Sequence, residues 1–196
     1  MKLVFATSNK GKLREARQIL GEGYEIISSE AAGVLGEAEE SAGTLAGNSL
    51  LKAEYVQQRL GGKSICFADD SGLEVDALGG APGVYTARYA GEDCDFERNM
   101  DKVLRELGNL SMEQRTARFK CVLTLLSGDR KYVFEGCLEG HIAFQKSGDK
   151  GFGYDPIFIP EGYDGVSLAE LGEELKNHIS HRYKALSLMR KVLEEL

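Results

Sequence analysis

Residues 115–144 hold the pattern that most constrains the fold. Ala117, Phe119, Cys121, Leu123 and Leu125 recur at every second position, which is the period of a β-strand and not of a helix. Gly128-Asp129 follows as a hairpin turn signal. Residues 132–144 then continue as strand, with Gly136 and Gly140 as places for bulges. A long hairpin of this kind has an apolar face that further elements must cover.

Helical periods supply the cover. Leu13, Ala16 and Leu20 mark a helix over residues 10–20 closed by Gly21. It lies between strand-like residues 3–6 and 24–27. Leu50, Ala53 and Val56 or Gln57 mark a second helix ending near Gly61-Gly62, and Met100, Val103, Leu104 and Leu107 a third. Ala185, Leu188, Val192 and Leu196 mark a C-terminal one. Residues 64–68 read as a buried strand closed by Asp69-Asp70-Ser71-Gly72. Residues 29–43, 72–94 and 147–156 read mostly as loop. The expectation is an α/β fold: an elongated, twisted mixed β-sheet flanked by helices. The 196 residues suit one domain, or one domain with two lobes around a central cleft, and residues 1–196 are read as a single domain.

A formal charge of −7 argues against a nucleic-acid partner, which needs a basic face. An acidic protein can still hold an anionic ligand through a metal ion, a helix N-terminus or clustered cations. No run approaches a membrane span, and Met1-Lys2-Leu3-Val4-Phe5-Ala6-Thr7 turns polar too soon for a signal peptide, so the expected location is cytoplasmic with no membrane partner. Cys66, Cys94, Cys121 and Cys137 have no metal-type spacing. Cys66, Cys121 and Cys137 lie in apolar runs and are expected as reduced core residues.

Five segments could carry chemistry. Thr7-Ser8-Asn9-Lys10-Gly11-Lys12 joins a strand to a helix. Helix capping by Ser or Asn is the first reading of it alone. Phosphate binding on the open N–H groups is the second. A Walker A loop is excluded, because Gly62-Lys63-Ser64 is preceded by Gln57 where glycine is required and leads into a strand. Asp69-Asp70 places two carboxylates at a strand end, either as a turn or as a cation site in which only one of the pair can face the ligand. Glu37, Glu39 and Glu40 form a solvated loop or complete that site. Gly151-Phe152-Gly153-Tyr154-Asp155-Pro156 offers an aromatic between glycines, either for a base or as an ordinary turn. His181 and Arg182 follow Ser180, a plausible N-cap. Cations are disfavoured at a helix N-terminus, so they call for an anion or polar ligand.

In combination these segments are specific. TSNKGK, DDSGLEVDALGGAPGVYTARYAG, GFGYDPIF and ISHR, in that order across about residues 3–190, resemble the Ham1 family of inosine/xanthosine triphosphate pyrophosphatases. The resemblance implies hydrolysis of ITP, dITP or XTP to the monophosphate and pyrophosphate, with Mg²⁺ as cofactor, by a homodimer that clears deaminated purines from the nucleotide pool. It implies that Thr7, Ser8, Asn9, Lys10, Gly11 and Lys12 bind the triphosphate. Asp70 becomes the catalytic residue and a metal ligand, with Glu40 or its neighbour Glu39 as the second. Lys52 and Ser71 contact substrate. Phe152, Gly153, Tyr154 and Asp155 hold the base, and Lys176, His181 and Arg182 read its edge. Arg88 resembles a position near the nucleotide. One departure stands out: Ala46 and Gly47 occupy positions where family members commonly carry a glutamate. Two other readings remain at this stage. One is a Maf-like pyrophosphatase of other nucleotides. The other is a nucleotide-binding protein without catalysis, which that departure would favour.

Overall fold

A computed structural model describes all 196 residues. The strands are β1 (Lys2–Phe5), β2 (Glu25–Ser28), β3 (Cys66–Val75), β4 (Thr116–Ser127), β5 (Arg130–Ile142) and β6 (Phe158–Pro160). They form one mixed sheet in the order β2-β1-β3-β4-β5-β6. β1 runs parallel to β2 and β3, whereas β5 and β6 are antiparallel. The helices are α1 (Lys10–Leu20), α2 (Leu45–Arg59), α3 (Phe96–Leu107), α4 (Leu168–Leu171), α5 (Glu173–Ile179) and α6 (His181–Leu193). The α/β class, the mixed sheet and the flanking helices are as the sequence leads one to expect. None of the helices is long and apolar enough to cross a membrane.

The chain divides into two compact units. The first comprises Met1–Asp70, Cys121–Gly136 and Arg182–Leu196. Its sheet is covered on both faces. Leu3 and Phe5 of β1, Phe67 of β3 and Cys121, Leu123 and Leu125 of β4 pack with α1 and α6. Val4, Ala6, Cys66 and Ala68 face the other way, onto Ala53 and Val56 of α2. Strand alternation alone makes this division. The second unit comprises Ser71–Lys120 and Cys137–His181. Its core joins Leu73 and Val75 of β3, Met100, Val103 and Leu107 of α3, and Phe119, Ile142, Tyr154 and Phe158.

Two expectations are corrected. Asp69-Asp70-Ser71-Gly72 does not close β3, which continues to Val75. These residues favour turns in isolation, but pairing and burial override that preference. The short helices α4 and α5 carry too few residues to show a period. Cys66 and Cys121 are buried thiols, but Cys137 is only half-buried, its thiol donating to Glu139 at 3.2 Å. Cys94 is exposed.

Gly140 lets β6 approach β5. A Cβ there would meet the Ile159 carbonyl oxygen at 2.3 Å and the Phe158 ring at 2.7 Å. Gly140→Ala is expected to lose about 1–3 kcal/mol by overpacking. Gly23→Ala, with open space around it, is expected to leave stability near wild type. Urea unfolding of the two variants checks both.

Candidate active site

The two aspartates of β3 sit side by side in sequence and point to opposite faces. Asp69 faces α1 and α6, and Asp70 faces α2. Each is met by cations from the helices on its own side.

Asp69 is 2% exposed. Lys12 of α1 donates to its Oδ1 at 2.9 Å, and Arg182 of α6 donates through Nε to Oδ2 at 2.9 Å. Arg182 also pairs through Nη1 with Glu15, itself buried on α1. Burial works against the charged form of Asp69. Lys12 and Arg182, with Lys52 beyond them, outweigh it and hold the carboxyl well below the ordinary carboxylate range. The anion that Arg182 demands at the start of α6 is thus supplied by the chain's own Asp69 and Glu15. Sequence reasoning missed Glu15, a lone glutamate on an amphipathic helix.

On the other face, Lys52 of α2 reaches two carboxylates. Its Nζ lies 2.8 Å from Asp70 Oδ1 and 2.9 Å from Glu40 Oε1. Asn48, one helical turn earlier and therefore on the same face, donates through Nδ2 to Asp70 Oδ2 at 3.2 Å. Burial raises the pKa of Asp70 above the ordinary carboxylate value, with Lys52 pulling against it. Burial also opposes the charge on Lys52, but Asp70, Asp69 and Glu40 outweigh it and raise its pKa. Of the loop glutamates, Glu40 is the one that Lys52 engages, and Glu37 and Glu39 are exposed. No group of three or more His, Cys, Asp or Glu side chains is arranged to hold a metal. Glu40 and Asp70 nevertheless fit a divalent ion that takes its remaining ligands from phosphates and water. An ammonium already stands between them at short distance from both.

The strand-to-helix segment realises its capping reading at Asn9, whose side chain accepts from Lys12 N at 3.0 Å. Thr7 Oγ1 accepts from Asn9 N at 3.1 Å. Ser8, Asn9 and Lys10 are exposed, and Gly11 is half-buried. The first turn of α1 holds no acidic residue and two lysines. A helix N-terminus ordinarily selects the opposite charge, so the arrangement suits an anionic ligand.

Gly47 sits against the 29–43 loop. A Cβ there would lie 2.5 Å from the Ala42 Cβ. The loop closes over the spot where a larger residue would stand, so a glutamate at 47 requires it to move. Ala46 is exposed.

In the second unit, Gly151-Phe152-Gly153 leads into a buried anchor. Asp155 Oδ2 accepts from Phe152 N at 2.9 Å and from Lys176 Nζ at 2.6 Å. Gly151 is required here, since its Cβ would stand 2.1 Å from Asp155 Oδ2 and its φ is +79°. Tyr154 is buried and donates its hydroxyl to the Thr86 carbonyl at 2.7 Å. Tyr154 and Asp155 therefore hold the loop's shape, while half-buried Phe152 has the Lys176 ammonium 4.3 Å from its ring centroid. His181 is buried and stacks on Phe119, with centroids 4.9 Å apart. Ser71 is half-buried in β3, and half-buried Arg88 lies 5.3 Å from the Tyr85 ring.

The depressed pKa of Asp69 fixes a pH dependence. Its folded value lies below the unfolded value of about 3.9, so its stabilisation is present above that pH and is lost as pH falls below it. Asp69→Asn is expected to lose about 3 kcal/mol near neutrality by leaving buried cations short of a partner. Thermal melts from neutral to strongly acid pH check this: wild type should fall steeply in acid, and the variant should fall less.

The Ham1 family model matches residues 3–192. A Porphyromonas gingivalis protein named dITP/XTP pyrophosphatase is 49% identical over 192 residues, covering 98% of this chain and 97% of the relative. A Flavobacterium johnsoniae protein of the same name is 48% identical over 186 residues, covering 95% and 94%. The Staphylococcus aureus Ham1 protein structure superposes with a TM-score of 0.87 at 41% identity, covering 100% of this chain and 99% of that one. With a family model spanning nearly its whole length and full-length relatives close to half identical, this chain belongs to the Ham1 family.

Proposed function

We propose that this protein is a Mg²⁺-dependent pyrophosphatase. It hydrolyses ITP, dITP and XTP to the monophosphate and pyrophosphate and so removes deaminated purines from the nucleotide pool. The observation that carries the reading is the buried Asp70 carboxylate, which shares the Lys52 ammonium with Glu40. Membership of the Ham1 family and the names of the close relatives support the substrate class.

Glu40 and Asp70 would hold Mg²⁺, which when bound supplies a Lewis acid and countercharge for phosphate oxygens. The chain's own groups do the rest. Asp70, whose pKa burial raises, orients a water and takes its proton as the water oxygen bonds to the α-phosphorus. The bond from that phosphorus to the α–β bridging oxygen breaks, and pyrophosphate leaves. Thr7, Ser8 and Asn9 hold the phosphates, with the open N–H groups of the first turn of α1 at Lys10 and Gly11. Lys10, Lys12 and Lys52 balance their charge, and Ser71 adds a hydrogen bond. Positioning and charge stabilisation carry the rate.

Phe152 and Gly153 hold the base, with Tyr154 and Asp155 fixing their loop. Lys176, His181 and Arg182 read the 6-keto edge, where adenine presents an amino group. A site built to bond one such group rejects an analogue without it by about 10⁴-fold. Residues 1–196 serve as one catalytic domain, active as a homodimer in the cytoplasm.

Pyrophosphate release from ITP, XTP and ATP, with Mg²⁺ and with EDTA, tests the reading. Release from ITP and XTP should require Mg²⁺ and be weak on ATP. Asp70→Asn should lower kcat by about 10²–10⁴-fold. A folded protein that binds ITP and releases nothing would overturn it. Sedimentation velocity should give twice the mass of one chain, and a monomer at assay concentration would remove the homodimer from the proposal.

A further inference from the structure

Asn48 is 1% exposed, and a buried amide needs partners for both its ends. They are found on two different segments. Its Oδ1 accepts from the backbone N–H of Ala42 at 3.0 Å, and its Nδ2 donates to Asp70 Oδ2 at 3.2 Å. The orientation is forced. A backbone N–H can only donate and an ionised carboxylate can only accept, so a flipped amide would face both neighbours with the wrong group.

Ala42 lies two residues beyond Glu40. Lys52, one turn after Asn48, holds Glu40 Oε1 and the other oxygen of Asp70. Asp70 therefore receives one donor on each oxygen, both from a single helix face. That face is itself fixed. Thr44 caps α2 by accepting from Gly47 N at 3.1 Å. Ser49 Oγ lies 3.0 Å from the Ala68 carbonyl and 2.9 Å from Thr124 Oγ1, which seats the helix on β3 and β4. Gly47 leaves the room that Ala42 occupies.

We propose that Asn48 is a positioning residue that sets the Asp70 carboxylate and the Glu40 loop relative to each other. Its amide group fixes the orientation of Asp70 without neutralising it, as a second ammonium would. Its carbonyl end ties the loop two residues from Glu40 to the same side chain. The assignment rests on the pyrophosphatase reading for its catalytic consequence, but the geometry it asserts can be tested apart from turnover.

The experiment compares wild type, Asn48→Ala and Asn48→Asp for pyrophosphate release from ITP with Mg²⁺, with thermal melts to identify folded variants. Asn48→Ala removes both bonds. Asn48→Asp keeps an acceptor for Ala42 N–H but turns a carboxylate toward Asp70. Both should lower kcat by about 10²-fold, the scale of a displaced catalytic group, with KM little changed. Wild-type kcat in Asn48→Asp would reduce Asn48 to a loop anchor and overturn the proposal, as would wild-type kcat in a folded Asn48→Ala. Independently of turnover and of any variant's folding, the Asn48 side-chain amide resonances of ¹⁵N-labelled wild type should shift on adding Mg²⁺ alone. Resonances indifferent to Mg²⁺ would also overturn it. A wild type that shows the shift but releases no pyrophosphate would instead sink the pyrophosphatase reading and leave the positioning geometry standing.

Discussion

Strand alternation at Asp69 and Asp70 is the constraint on which the first unit depends. A buried carboxylate without partners costs several kcal/mol, and two adjacent ones on one face would also repel each other. A β-strand sends neighbours to opposite sides, so β3 can carry both. Each then needs its own cations, and these come from different helices: Lys12 and Arg182 from α1 and α6 for Asp69, and Lys52 from α2 for Asp70. The same alternation divides the apolar residues of β1 and β3 between the two helical layers. Charge placement and core packing therefore follow from one geometric rule.

The second unit uses a smaller version of the same device. Lys176 and Asp155 are both buried and lie 2.6 Å apart. The carboxylate's Oδ2 also accepts the Phe152 N–H, so the ion pair is braced by a neutral donor and shapes the loop at once. Gly151 permits this turn of the chain because any side chain there would collide with Asp155. A loop pinned in this way holds Phe152 in place without burying the whole ring.

Most of the fold was legible as period. The alternation through Ala117, Phe119 and Leu125 marked β4, and Leu13, Ala16 and Leu20 marked α1. The extension of β3 through Asp70 to Val75 was not, because Asp, Ser and Gly have turn preferences that only sheet pairing overrides. At the site, the misplaced cation Arg182 correctly signalled an anion, but sequence does not say whether that anion is a ligand or a buried side chain such as Glu15. Asn48 gave no signal at all. An asparagine inside a helix looks like any surface polar residue until burial shows that both ends of its amide are used.

The carboxylates on the two faces of β3 are met differently. On the Asp69 side, two carboxylates, Asp69 and Glu15, meet two cations, Lys12 and Arg182. That network ties β3 to α1 and α6. On the Asp70 side, Asp70 and Glu40 share the Lys52 ammonium. The pKa of Asp70 is raised and that of Asp69, one residue away on the same strand, is depressed. Burial is common to both, and the supply of cations separates them.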